Sequence, residues 1–202
     1  MKIPSKHIEN AVDQIASLPG IGRKTALRLV LQLLSRSESE IHDFSTAFTQ
    51  MKKHVLFCSN CGNISDSPIC SICSNENRDH STVCIVEDIR DVLAIEGTQS
   101  FKGVYHVLGG VISPMDGIGP SDLNINLLLS RIESGNISEI IFALSPTMEG
   151  DTTNFYIYKK LKSYDSLEFS TLSRGVAIGS ELQYADDVTL SRSIVNRQPF
   201  IL

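Results

Sequence analysis

The feature that most limits what this chain can fold into is a run of four cysteines, Cys58-x2-Cys61-x8-Cys70-x2-Cys73. Two residues between paired cysteines let both sulfurs face one ion, and two such pairs complete a tetrahedron, the closed geometry of structural zinc. The stretch from Asn63 to Pro68 is turn-rich and has almost no apolar content of its own, so a metal must replace the missing hydrophobic stabilisation. One structural Zn2+ on Cys58, Cys61, Cys70 and Cys73 leaves no open coordination position, which excludes catalysis at the metal. His54 and His80 flank the loop but are not needed as ligands. Cys84, in the apolar run Val83–Val86, reads as a small core residue. Clustered cysteines of this kind suit a reducing compartment better than a disulfide framework.

With 202 residues, the chain is long enough for one substantial core and a smaller appendage, or for two small domains. Met1–Lys6 has no apolar core of a signal peptide, and no stretch approaches the roughly 18 apolar residues a membrane span needs. The expectation is a cytoplasmic protein with no membrane partner. The formal charge of −5 argues against nucleic-acid binding over the whole surface, but it is unevenly spread. Residues 1–57 carry a net +3 and residues 58–202 a net −8. A basic end on an acidic body implies polyanion contact at one end and metal or protein contact at the other.

Ile8, Val12, Ile15 and Leu18 recur at helical spacing, and the pattern resumes after Gly22 with Leu27, Val30, Leu31 and Leu34. Two helices joined by a tight glycine turn are expected, then a polar connection over Ser37–Glu40 and a third helix through Phe44, Phe48, Met51 and Val55. From Ser81 short apolar runs alternate with helical patterns. Val83–Val86, Tyr105–Leu108, Ile140–Leu144 and Leu167–Leu172 predict strands; Ile89–Glu96, Ser121–Ser134 and Thr152–Ser163 predict helices. This alternation predicts an α/β layer with a mostly parallel sheet. A helical tail over Gly179–Leu202 closes on Pro199-Phe200-Ile201-Leu202.

Leu18-Pro19-Gly20-Ile21-Gly22-Arg23-Lys24-Thr25-Ala26 has the form of a helix-hairpin-helix. Gly20 and Gly22 let backbone approach a phosphate closely, the second helix offers free N–H groups at its start, and Arg23, Lys24 and Arg28 add charge. Such contacts carry no base information, so DNA binding would be independent of sequence. The plain alternative is a turn between two packed helices. A P-loop is excluded, because Arg23 stands where glycine should precede the lysine and a helix, not a strand, comes before the turn.

Glu87 and Asp88 follow one predicted strand, and Glu149-Gly150-Asp151 follows another by a short loop. Ligands gather at the carboxyl ends of strands in open α/β sheets, so converging carboxylates there could hold Mg2+ for phosphoryl chemistry. Exposed acids after strands are also common without any metal.

Taken in order, the glycine hairpin, the four-cysteine loop and the α/β part occur with Tyr105-His106-Val107-Leu108-Gly109-Gly110, Ile112-Ser113-Pro114, Ser145-Pro146-Thr147-Met148-Glu149-Gly150 and Tyr184-Ala185-Asp186-Asp187-Val188-Thr189-Leu190. Over nearly its whole length the chain thereby resembles the RecR family of bacterial recombination mediators. The resemblance implies a helix-hairpin-helix DNA-binding region over 1–55, a four-cysteine zinc finger over 56–79, a Toprim-type α/β domain over 80–175 and a C-terminal tail over 176–202. It also implies a non-catalytic role in recombinational DNA repair, as a ring-shaped homo-oligomer, expected to be tetrameric, that works with RecO and RecF to help load RecA on single-stranded DNA. Gly20, Gly22, Arg23, Lys24 and Arg28 match the DNA-contacting hairpin. Glu87, Glu149 and Asp151 match the Toprim acidic positions, associated in this family with RecO binding more than with catalysis, so any Mg2+ there is not expected to be catalytic. Two departures stand out: Glu149-Gly150-Asp151 replaces the Asp-x-Asp pair of catalytic Toprim enzymes, and Gln183 precedes Tyr184 where the family commonly has glutamate. The rival reading is a small metal-dependent Toprim nuclease or primase-like enzyme.

Overall fold

The chain divides into two compact units, one ending at Val55 and the other beginning at Leu56, in a computed structural model that describes residues 3–199. Phe200, Ile201 and Leu202, assigned above to the tail, lie outside the described residues.

The first unit is helical. Ser5 caps α1 (Lys6–Ala16) by accepting from the Ile8 amide at 3.5 Å. The expected helical spacing brings Val12 of α1 onto Ala26 and Val30 of α2 (Arg23–Leu34), and these three form its buried centre. Ser37–Glu40, expected as a polar connection, is instead the start of α3 (Glu38–His54). Ser37 Oγ accepts from the Glu40 amide, and Glu40 reaches back to the Ser37 amide at 2.9 Å. No side chain of α3 is fully buried. The three helices bound an apolar cleft of about 580 Å³ lined by Ile8, Ile15, Leu34, Ile41 and Phe44.

The second unit opens with an antiparallel ribbon, β1 (Leu56–Phe57) and β2 (Ile64–Ser65), with Cys58 and Cys61 between its strands and Cys70 and Cys73 after it. Then follow β3 (Asp79–Val86), α4 (Ile89–Gly97), β4 (Gly103–Val107), α5 (Ile125–Ser134), β5 (Glu139–Phe142), α6 (Met148–Leu161), β6 (Glu168–Thr171) and α7 (Asp187–Val195). The four longer strands form a parallel sheet in the order β4-β3-β5-β6. Both faces are covered, which is why β3 reads as an unbroken apolar run. Val83 and Ile85 pack with Ile140, Leu128 and Ile157 on the side of α5 and α6; Cys84 and Val86 pack with Tyr105 and Val92 on the side of α4. Each such buried side chain contributes about 1.5–3 kcal/mol.

Two helices begin elsewhere than their periodicity implies. The helix expected from Ser121 starts at Ile125, because Pro120–Asp122 forms a separate 3-10 turn. The helix expected from Thr152 starts at Met148, because Thr147 Oγ accepts from the Gly150 amide at 3.1 Å and caps it. Glu149-Gly150-Asp151 is therefore the first turn of α6 and not a loop. A Cβ on Gly150 would stand 2.0 Å from the Ser145 carbonyl oxygen, so this turn admits no side chain there.

His106 of β4 is fully buried. Its Nε2 donates to the Asn124 carbonyl at 2.9 Å, while Nδ1 has no partner. Burial pushes its pKa down to about 4. The folded value lies below the unfolded one, so the stability it contributes is whole above about pH 6.5 and is lost as pH falls towards 4. At pH 5 the expected loss is about 2 kcal/mol. Urea unfolding at pH 7 and pH 5 checks this: wild type should lose markedly more stability between the two than His106→Asn, and equal losses would contradict the assignment.

Candidate metal centre and nucleic-acid interface

Cys58 and Cys61 lie between β1 and β2 and Cys70 and Cys73 follow β2; all four are buried, and their sulfurs lie within 4.8 Å of one another. Cys61 and Cys70 Sγ are 3.7 Å apart, against an edge of about 3.8 Å for a tetrahedron with Zn–S of about 2.3 Å. The sulfurs are also braced for negative charge, since the Cys70 amide donates to Cys58 Sγ at 3.3 Å and the Cys73 amide to Cys70 Sγ at 3.4 Å. Arg131 Nη1 donates to the Tyr105 carbonyl of β4 at 2.7 Å. The donor set fits a tetrathiolate metal. His54 and His80 stay outside it, both exposed, and His80 Nε2 instead lies 3.0 Å from the Asn75 carbonyl.

The ribbon is joined to the sheet at the free edge of β4. The Val107 amide donates to the Cys61 carbonyl at 2.8 Å, and Asn124 Nδ2 donates to the Val107 carbonyl at 2.9 Å. Ile72 packs against both core clusters and the cysteines together. Exposed strand edges invite pairing with other chains, and here the zinc loop covers one.

At the hairpin of the first unit, Gly20 has φ +79°, the left-handed region that favours glycine. Gly22 is the N-cap of α2 and offers no side chain to its first turn, whose N–H groups are left for an anion. Lys24 and Arg28 sit one helical turn apart, exposed, and among the described residues neither is ion-paired. Arg23 differs. It is paired with Asp13 and lies 3.6 Å from Glu9, both on α1, so its charge is largely committed.

Glu87, Glu149 and Asp151 all lie on the carboxyl-end side of the sheet. Among the described residues, however, the cysteines are the one group of three or more metal-ligating side chains drawn within 4.8 Å of each other. Burial, then the charges of Asp91 and Asp88, push the Glu87 carboxyl above its usual range. Glu149 is exposed. Asp151 accepts from Arg174 at 2.5 and 3.2 Å, which holds its carboxyl low. Asp88 is occupied as the N-cap of α4, bonded to the Arg90 amide and side chain. Sequence reasoning did not single out Arg131 and Arg174. Each lies far along the chain from its partners, so no local pattern marks it.

Comparison with known proteins divides the chain in the same order. The family model described as RecR, helix-hairpin-helix matches residues 8–52; the RecR four-cysteine zinc finger domain matches 55–75; Toprim domain matches 81–170; and RecR, C-terminal matches 175–198. A protein of Flavobacterium psychrophilum named Recombination protein RecR is 57% identical over 200 residues, 99% of this chain and 97% of that protein. Its namesake in Parabacteroides distasonis is 56% identical over 201 residues, 100% of this chain and 96% of that protein. Another in Flavobacterium johnsoniae is 55% identical over 200 residues, 99% and 97% of the two chains. The zinc-finger match and the sulfur geometry together make Cys58, Cys61, Cys70 and Cys73 a structural zinc site. Among the described residues no helix is long and apolar enough to cross a membrane.

Proposed function

This chain belongs to the RecR family of recombination proteins, and from that membership we propose that it is a non-catalytic, DNA-binding mediator of recombinational repair in the cytoplasm. The observation that carries the reading is the pair Lys24 and Arg28, exposed and, among the described residues, in no ion pair, beside the uncapped start of α2. Two such cations on one hairpin displace few counterions, so a single copy binds DNA weakly. Several hairpins in one assembly gain by effective concentration what each lacks. We therefore favour a homo-oligomeric ring, tetrameric by family resemblance, that acts with RecO and RecF to help load RecA on single-stranded DNA. Self-association is supported by apolar side chains left exposed on α3 (Phe44, Phe48, Met51) and in the tail (Tyr184, Val188, Ile194). Glu87, Glu149 and Asp151 are assigned to partner binding, with RecO as the partner.

Replacing Arg23, Lys24 and Arg28 together by alanine should abolish DNA retention in a fluorescence-anisotropy titration at low salt while leaving the circular dichroism unchanged; undiminished affinity would sink the reading. The mass in solution, measured by light scattering, should be a multiple of 22.2 kDa. A monomer with and without DNA would remove the ring. Mg2+-dependent cleavage or synthesis of DNA that disappeared with Glu149→Gln would replace the mediator by an enzyme.

A further inference from the structure

Arg131 is buried in α5, with 9% of its surface exposed, yet among the described residues it takes part in no ion pair. A guanidinium removed from water without a negative partner is costly enough that interiors rarely hold one. Its Nη1 donates to the Tyr105 carbonyl at 2.7 Å, but a neutral carbonyl does not balance a full charge.

The free edge of β4 shows where the balancing charge lies. On a parallel strand, the carbonyl of one residue and the amide two residues on are bridged by a single residue of the neighbouring strand. On β4 those groups are the Tyr105 carbonyl and the Val107 amide, and among the described residues no strand lies beside them. The guanidinium of Arg131 takes the carbonyl, and the backbone carbonyl of Cys61 takes the amide. Side by side in the place of one residue, the two stand within roughly 4–5 Å of each other. Arg131 therefore lies against a zinc ligand. Four thiolates and Zn2+ sum to −2, a negative charge that no ion pair among the described residues supplies to Arg131. Arg78, the first cation after the cysteine loop in the chain, is committed to Glu96, at 2.5 and 2.8 Å.

We propose that Arg131 is the buried counter-charge of the tetrathiolate zinc centre, so that zinc retention and the seating of α5 on β4 form one linked equilibrium. With zinc bound, the arginine and the centre neutralise each other. Arg131 thus stabilises the zinc form through its charge, which a hydrogen bond to Tyr105 alone does not require. This role is independent of DNA binding, and so is its test.

The test uses the full chain with Arg131→Met, which keeps the length and apolar stem, and Arg131→Lys, which keeps the charge. Zinc transfer to 4-(2-pyridylazo)resorcinol should be about ten-fold faster for R131M, and within about three-fold of wild type for R131K. Zinc release unchanged in R131M, or release as fast in R131K as in R131M despite the retained charge, would reduce Arg131 to a packing residue and overturn the proposal. Should R131M not accumulate as folded protein, R131K decides alone: release ten-fold faster than wild type despite the retained charge overturns it, and release close to wild type upholds it.

Discussion

Stripping the zinc is expected to unfold residues 56–75 while the parallel sheet survives. The loop buries four cysteines but only one larger apolar side chain, Ile72, and that only in part. Burying such a side chain contributes at most about 3 kcal/mol. Structural zinc in small fingers contributes about 10–16 kcal/mol of apparent binding energy at neutral pH, and that energy is the folding energy of the loop. By hydrogen-exchange mass spectrometry, peptides spanning 56–75 should lose all protection on chelation or in Cys58→Ser. Peptides of β3 and β5, at the centre of the sheet, should keep theirs. The Val107 amide, which donates to Cys61, should follow the loop and not its own strand. A metal-free protein that still protected 56–75 would contradict the view that the metal takes the place of a core.

The second large effect concerns salt. Lys24 and Arg28 are the uncommitted cations of the hairpin, so each copy contacts about two phosphates. The logarithm of affinity for duplex DNA then falls with the logarithm of salt at a slope of about −2 for one copy and about −7 for four acting together. In Lys24→Ala/Arg28→Ala the slope should collapse towards zero, equally for any base sequence. Arg23 makes a prediction of opposite direction. Because Asp13 and Glu9 hold it, Asp13→Asn should release its charge to the phosphates and tighten binding several-fold, without any new basic residue. Anisotropy titrations over a salt series measure both. A weaker complex for D13N would show that the ion pair shapes the hairpin and does not restrain its charge.

Much of this was legible in the sequence because it rests on local spacing. The cysteine pairs declare their metal, apolar runs of four or five residues mark strands buried on both faces, and Pro19-Gly20-Ile21-Gly22 marks the turn. What was not legible is set by contacts across the chain or by a single cap. Thr147 moves the start of α6 four residues back, and the acidic Glu149-Gly150-Asp151 thereby passes from loop to helix. Ser37 does the same for α3 through its reciprocal bonds with Glu40. Arg23 looks like a free cation until α1 folds back beside it. Arg131 looks like an ordinary polar residue near a helix end until β4 is set against it. Side chains whose role depends on charge at a distance leave no periodic trace.

The cover on β4 also has an order in time. Chains leave the ribosome amino-terminus first. The cysteine loop, residues 58–73, is therefore made before the strand whose edge it will cap, and it can close on its metal before Gly103–Val107 has emerged. β3 meets β4 after a short connection, but must wait for β5, more than fifty residues on, to gain its other neighbour. For that interval the growing sheet has two strands and, on one flank, a cap already in place. A cell short of zinc would make the same strands with that flank bare, and nascent chains would then be free to pair with each other.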